Sequence, residues 1–292
     1  MPTGCKQSSQ DKLEFQQLGS RHVESDFSGG SITSDAGALL LRQVEENRDF
    51  IGDLAGYFRD QRDPRYTEHD LQELLRQRVM GLACGYEDLL DHDSLRADPM
   101  WSLLAGKANP GATTAAGKST LNRLETSIAR SGEGSDRYHK IDLEADEAGF
   151  QKLFTHWYIT SHSEDPPDQI ILDLDASDDP LHGDQEDKFF HGYYDHYCYL
   201  PLYIFAGDQL LWAELRRSNI DGSAGSRQAV AQIISQLRQV WPEVSIILRA
   251  DSEFAREQLM SFCETHDVDF AFGLAKNPRL CEAISDQADA AE

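Results

Sequence analysis

Two apolar runs in this chain end on aspartate: IILDLDAS at 170–177 and SIILRAD at 245–251. Each reads as a short buried strand of Ile and Leu. Residues two apart on a strand share a face, so Asp173 and Asp175 point one way while Leu172 and Leu174 point the other. Adjacent carboxylates are costly in an apolar setting without a partner. They suit a strand end that binds a hard divalent cation, since Mg²⁺ and Mn²⁺ prefer carboxylate oxygens. If the two strands are neighbours in one sheet, Asp175 and Asp251 meet at its edge. The same residues have plainer uses. Asp251 can cap the next helix in the chain, and Asp173 and Asp175 can serve the turn before Asp178-Asp179-Pro180.

The elements that must position these acids can be read from the pattern of the chain. After the two prolines of SEDPPDQ the character changes from helical to mixed. IILDLDAS, YCYLPLYIF and QLLWAELR read as strands, the last two joined by an AGD hairpin turn. Helix RQAVAQIISQLRQVW, strand SIILRAD, helix SEFAREQLMSFCETH and strand DFAFGLA come next. The order β-β-β-α-β-α-β is that of an α/β ribonuclease-H-like catalytic core, three meandering strands and then alternating helices and strands. The first 165 residues read as a mainly α-helical region, with 166–292 as the partial catalytic domain. Residues 1–30 read as a flexible lead. Ser34 or Asp35 is the expected cap of a helix with an apolar stripe of Leu39, Leu40 and Val44. A helix–turn–helix is expected over 67–95, with Leu71, Leu74, Leu75, Val79 and Leu82 at helical spacing.

Composition narrows the function classes. The chain has 292 residues and a net charge of −24, which argues against a generic nucleic-acid binder. A DNA enzyme with this balance has to concentrate its positive charge locally. No stretch approaches the roughly 18 apolar residues of a membrane helix, and the N-terminus lacks the apolar segment of a secretory signal, so a cytoplasmic protein is expected. The five cysteines are scattered, without a CxxC pair, and read as reduced thiols. GATTAAGKS has five residues between Gly111 and Gly117 where a phosphate loop needs four. His182 and His191 bracket an acidic, aromatic stretch that fits no zinc spacing and reads as a loop near the active site.

Five segments resemble DDE transposases of bacterial insertion sequences, most closely the thirteen-eighty insertion-sequence family: LDLDASDDPLHGDQE, YYDHYCYLPLYIF, LRRSNIDGSAGS, IILRADSEFARE and FAFGLAKNPRL. The resemblance extends to FSGGSITSDAGALLLRQVE and to the segment 63–99, and covers most of residues 27–280. It implies Asp175 and Asp251 as the first two catalytic acids, with Asp173 as a supporting neighbour. It implies two Mg²⁺ or Mn²⁺ ions, double-stranded DNA at transposon ends and target as partner, and a homodimer in the active complex. Arg216, Arg217, Arg249 and Lys276 flank the expected catalytic edge and are candidates to hold phosphates, as is Lys118 at a helix start. The family's third acid is a Glu on a later helix, often in a Tyr-x2-Arg-x3-Glu pattern. No Tyr comes after Asp251, and Glu253, Glu257 and Glu264 come too early. The chain therefore reads as C-terminally truncated relative to the family.

Overall fold

In the computed structural model, residues 13–18, 21–25, 33–107, 113–129, 140–143, 147–275, 277–285, 287 and 290 are described. The chain divides into two compact units, 1–144 and 145–292.

The first unit holds the antiparallel pair β1 (Leu13–Leu18) and β2 (Arg21–Ser25), then α1 (Ala38–Arg48), α2 (Phe50–Ala55) and β3 (Phe58–Asp60). It continues with α3 (Leu71–Ala83), α4 (Asp91–Leu95), α5 (Pro99–Leu104), α6 (Lys118–Ala129) and β4 (Ile141–Leu143), which pairs with β3. The β1–β2 pair stands where a flexible lead is expected. Helix α1 begins after Gly37, not at a Ser34 or Asp35 cap. Asp35 instead accepts hydrogen bonds from the Tyr86 hydroxyl (3.1 Å) and the Trp101 indole (2.9 Å). The expected stripe faces outward, with Leu40 74% and Val44 52% exposed. The helix turns Glu45 inward because that carboxylate accepts from the Ile51 N–H in the first turn of α2. Helix α3 is present where helical spacing places it and starts at Leu71, with a reciprocal cap between Asp70 and Glu73. It buries Leu74, Leu75, Gln77 and Met80, while Val79 and Leu82 stay exposed.

The second unit opens with α7 (Glu147–Ser161) and β5 (Gln169–Ala176). The short strands β6 (Asp179–Pro180), β7 (Phe189–His191) and β8 (His196–Tyr199) come next. The remaining elements are β9 (Leu202–Ala206), β10 (Gln209–Glu214), α8 (Ser226–Val240), β11 (Ser245–Ala250), α9 (Glu257–Thr265), β12 (Asp269–Phe272) and α10 (Pro278–Ala283). The main sheet has the order β10-β9-β5-β11-β12. Strands β5, β9 and β10 are antiparallel neighbours, and β11 and β12 run parallel to β5. This mixed arrangement, with a central first strand, is the expected ribonuclease-H-like topology. The β9–β10 loop is the expected hairpin, with Gly207 at φ +59°.

Two details differ from the sequence reading. YCYLPLYIF is two strands, broken at Pro201, which has no N–H for a ladder. Its first half joins β6 and β7 in a separate three-stranded sheet, order β6-β8-β7, so the stretch read as a loop is a small inserted sheet. Helix α7, expected with the N-terminal region, belongs to the second unit. Gln151 on α7 donates to the Ala213 carbonyl of β10, and Leu153 and Tyr158 are buried. The core of this unit runs from Ile170, Leu172 and Leu174 on β5, through Leu202 and Ile204 on β9, to Ile233 and Leu237 on α8.

Candidate active site

Strand β5 alternates in burial. Ile170, Leu172, Leu174 and Ala176 are buried, whereas Asp173 and Asp175 are not. On β11, Ile246 and Leu248 are buried and Arg249 is exposed. The parallel register sets Arg249 beside Asp173 and Ala250 beside Leu174. Asp251 and Asp175 each follow one residue after that last pair, at the carboxyl ends of neighbouring strands about 4.8 Å apart. Both aspartates thus stand at the carboxyl end of the sheet, away from the buried leucines.

Asp251 has two possible uses by sequence, metal ligand or helix cap, and the start of α9 separates them. That helix begins at Glu257 and its cap residue is Arg256, so Asp251 does not cap it. Its Oδ1 instead accepts from the Glu253 N–H at 2.9 Å, closing a tight turn at the strand tip. Asp175 accepts from the Ser177 hydroxyl at 2.8 Å. Both carboxylates therefore receive neutral donors. Asp173 is held differently. The Arg249 guanidinium grips both of its oxygens, at 2.7 and 2.8 Å, across the β5–β11 pair. That side-by-side geometry is the strong form of a carboxylate–arginine contact, and the neighbouring carboxylate raises the Arg249 pKa. Two residues read as a catalytic acid and a phosphate contact thus hold one another.

The other expected DNA contacts fall in different places. Arg216 is buried, 7% exposed, and donates to the carbonyls of Leu200 (2.9 Å) and Ala224. Burial pushes its pKa down, opposed by Glu214, Glu253 and Asp221. It fastens the chain after β10 to the start of β9 and does not face solvent. Arg217 is exposed and pairs with Asp187 at 2.7 Å. Lys118 lies in the first unit, 3.4 Å from Asp93. Lys276 lies outside the described residues, as does Gly111 of the glycine-rich segment.

Several residues around the edge escape sequence reasoning. Gly273, just after β12, donates its N–H to the Ala250 carbonyl, and a Cβ there would lie 3.0 Å from Ser252 N and 3.3 Å from Asp251 C. Glu253 accepts from the Gly222 N–H at 3.2 Å, and Gly222 leaves no room for a side chain beside that carboxylate. Arg256 reaches Asp221 at 2.8 Å, a second tie between the same two segments. From the inserted sheet, His196 pairs with Asp178 at 2.8 Å. The Tyr194 phenol is pushed up chiefly by burial, then by the charges of Asp178, Glu253 and Asp175 among others. Only the glycine in FAFGLA and the acid two places beyond Asp251 are visible in the sequence as signals, and neither is specific.

An oxygen-only donor pair, outward-facing and not neutralised by an arginine, fits a hard divalent cation that completes its shell with water and phosphate. Among the described residues, no three of His, Cys, Asp and Glu converge as a ready-made metal cage. No helix of the described residues is long and apolar enough to cross a membrane.

A family model described as Transposase DDE domain group 1 matches residues 15–292. Among solved structures, the chain is similar to the catalytic domain of Mos1 mariner transposase at 12% identity and a TM-score of 0.28, covering 50% of this chain and 73% of that one. It is similar to the Mos1 transposase catalytic domain with raltegravir and Mn at 14% identity and a TM-score of 0.27, covering 51% and 76%. It is also similar to the Mos1 transposase paired-end complex with left transposon end, at 11% identity and a TM-score of 0.26, covering 91% and 83%. No curated protein matches the chain.

Proposed function

Because this chain belongs to the Transposase DDE domain group 1 family, we propose that it is an insertion-sequence transposase that cuts double-stranded DNA at transposon ends and joins the freed 3′ end to a target. The observation that supports this reading is the β5–β11 register, whose last pair, Ala250 and Leu174, comes one residue before Asp251 and Asp175 at the carboxyl ends of the two strands. In this reading the two aspartates hold Mg²⁺ or Mn²⁺, as two ions. Bound there, such ions supply charge neutralisation at the phosphoryl group and ease deprotonation of the attacking hydroxyl. The chain's own residues do the positioning. The Ser177 hydroxyl and the Glu253 N–H each hold one aspartate oxygen in place. The Asp173–Arg249 pair ties the two strand ends together two residues behind. Arg217 and Lys276 meet phosphates in this reading, and the active complex is a homodimer on paired ends. The work takes place in the cytoplasm.

The test is cleavage of a labelled duplex carrying the inverted repeats that flank the gene, with Mg²⁺ or Mn²⁺. The intact chain is expected to nick at the repeat end and join the product to a second duplex. Asp175→Asn and Asp251→Asn are each expected to lower the rate by about a thousandfold, the loss of several kcal/mol of charge stabilisation. Equal rates in all three proteins would sink the assignment. Cleavage without joining would mark a different metal-dependent nuclease on the same fold.

A further inference from the structure

Helix α6 in the first unit is amphipathic in an unusual sense for this acidic chain. It buries Leu121, Leu124 and Ser127. Ser119, Asn122 and Arg123, spaced i, i+3 and i+4, form one exposed stripe on the opposite side. At 12 residues it is about 18 Å long.

Its start is fixed by the two longer-range contacts of the helices before it. Gln77 of α3, 1% exposed, accepts from the Ala116 N–H and donates to the Ala116 carbonyl, both at 2.8 Å. Asp93 of α4 accepts from the Lys118 N–H at 3.1 Å. A side chain on Gly117 would run into Arg96 at 2.8 Å and Asp93 at 3.1 Å. Helices α3 and α4 thus set the direction of α6. The helix–turn–helix expected over 67–95 is part of this support. Its second helix, α4, has five residues and carries Asp91 and Asp93, which suits it poorly to a DNA groove.

The charge around α6 is also distinct. Residues 99–124 contain no Asp or Glu, in a chain with 51 of them, and include Lys107, Lys118 and Arg123. The acid on α6, Glu125, is paired with Arg78 at 2.5 Å. Arg123 donates to the neutral Thr120 hydroxyl at 3.3 Å. Beside it lies a cleft of about 420 Å³ lined by Arg62, Arg123, Lys140, Thr67 and Thr120. Asp63 and Glu68 line it too; Asp63 is taken by Arg65 at 2.6 Å, as Arg62 is by Asp60 at 2.6 Å, which leaves Arg123 and Lys140 as its cations for a ligand.

We propose that α6 is the DNA-reading helix of this protein, with Asn122 and Arg123 meeting base edges in the major groove and Lys118 and Lys140 meeting the flanking phosphates. The proposal rests on the transposase reading and gives it a recognition surface. The major groove admits one α-helix, Asn pairs through its amide with adenine, and Arg pairs through its fork with guanine. Lys118 is held by a half-exposed ion pair, which surrenders little when a phosphate replaces the acid.

The test uses the full chain and a pool of randomised duplexes, with anisotropy then measured on the enriched duplex and on an unselected one. The intact chain is expected to enrich a motif containing adenine and guanine. Asn122→Ala is expected to bind that motif about tenfold or more weakly with unchanged affinity for unselected DNA, and Arg123→Ala to weaken the motif about tenfold more than it weakens unselected DNA, both with an unchanged melting temperature. Lys140→Ala is expected to weaken both and to reduce the salt slope by about one ion. If both stripe variants keep the motif and its affinity, or if the intact chain enriches nothing, the proposal is overturned. Metal-dependent nicking of unselected DNA, scored with and without Asp175→Asn in the same preparations, judges the transposase reading separately.

Discussion

Asp251 owes its position to a residue with no functional group. Gly273 passes beside it at the end of β12, where even one methyl would press on the Asp251 backbone. Metal sites tolerate little displacement of their ligands. Gly273→Ala is therefore expected to weaken Mn²⁺-dependent cleavage by about tenfold while leaving DNA binding unchanged, measured by cleavage kinetics and anisotropy on one preparation. Unchanged cleavage would show that the strand tip yields freely. At this scale the strand-end placement of the two aspartates is legible in the sequence, because an apolar run that stops on an acid is a local pattern. The roles of Asp173, Arg249 and Arg216 are not. Asp173 and Arg249 lie 76 residues apart in sequence and meet only through strand pairing. Arg216 is buried by the loop that packs on it, and no neighbour in sequence announces that.

The elements that carry functional side chains are held by buried polar contacts as much as by apolar ones. His92 on α4 is fully buried, lies 3.1 Å from the Gln77 amide and packs edge-on against Trp101. Burial holds its pKa below the ordinary value, and burial does the same for His69. The unfolded chain takes up these protons near pH 6.5, the folded chain only lower. Below that pH the unfolded state binds more protons, so stability is complete above about 6.5 and falls as pH drops through it. Urea midpoints of the first unit are expected to be lower at pH 5.5 than at 7.5, and His92→Gln is expected to shrink the difference. A midpoint that does not move with pH would contradict the burial of these imidazoles. Periodicity finds α3, whose Asp70–Glu73 cap the structure adds. It does not show which way α1 and α3 turn. Glu45 and Gln77 face inward for partners that lie elsewhere in the chain, and the leucines and valines on the other side are left exposed. The inserted sheet is hidden because its strands have two to four residues and sit among turn-forming residues.

Across the whole molecule, the order of the five main-sheet strands and the two helices between them after residue 168 can be read directly, since each is short, regular and bounded by Pro, Gly or Asp. The unit boundary cannot. SEDPPDQ marks the turn between α7 and β5, not the edge of a unit, and α7 is drawn to the sheet by Leu153, Tyr158 and the Gln151 contact with β10. Charge is unevenly spread along the sequence as well: in a chain of net −24, residues 99–124, which lead into α6, contain no acid. The central claim is that Asp175 and Asp251, from strands far apart in sequence, act on the same cation. Mn²⁺ titration monitored by electron paramagnetic resonance tests it without requiring DNA. The intact chain is expected to bind Mn²⁺ and to lose that binding equally in Asp175→Asn and in Asp251→Asn, with folding retained. Binding that survives either substitution at full strength would contradict a shared site.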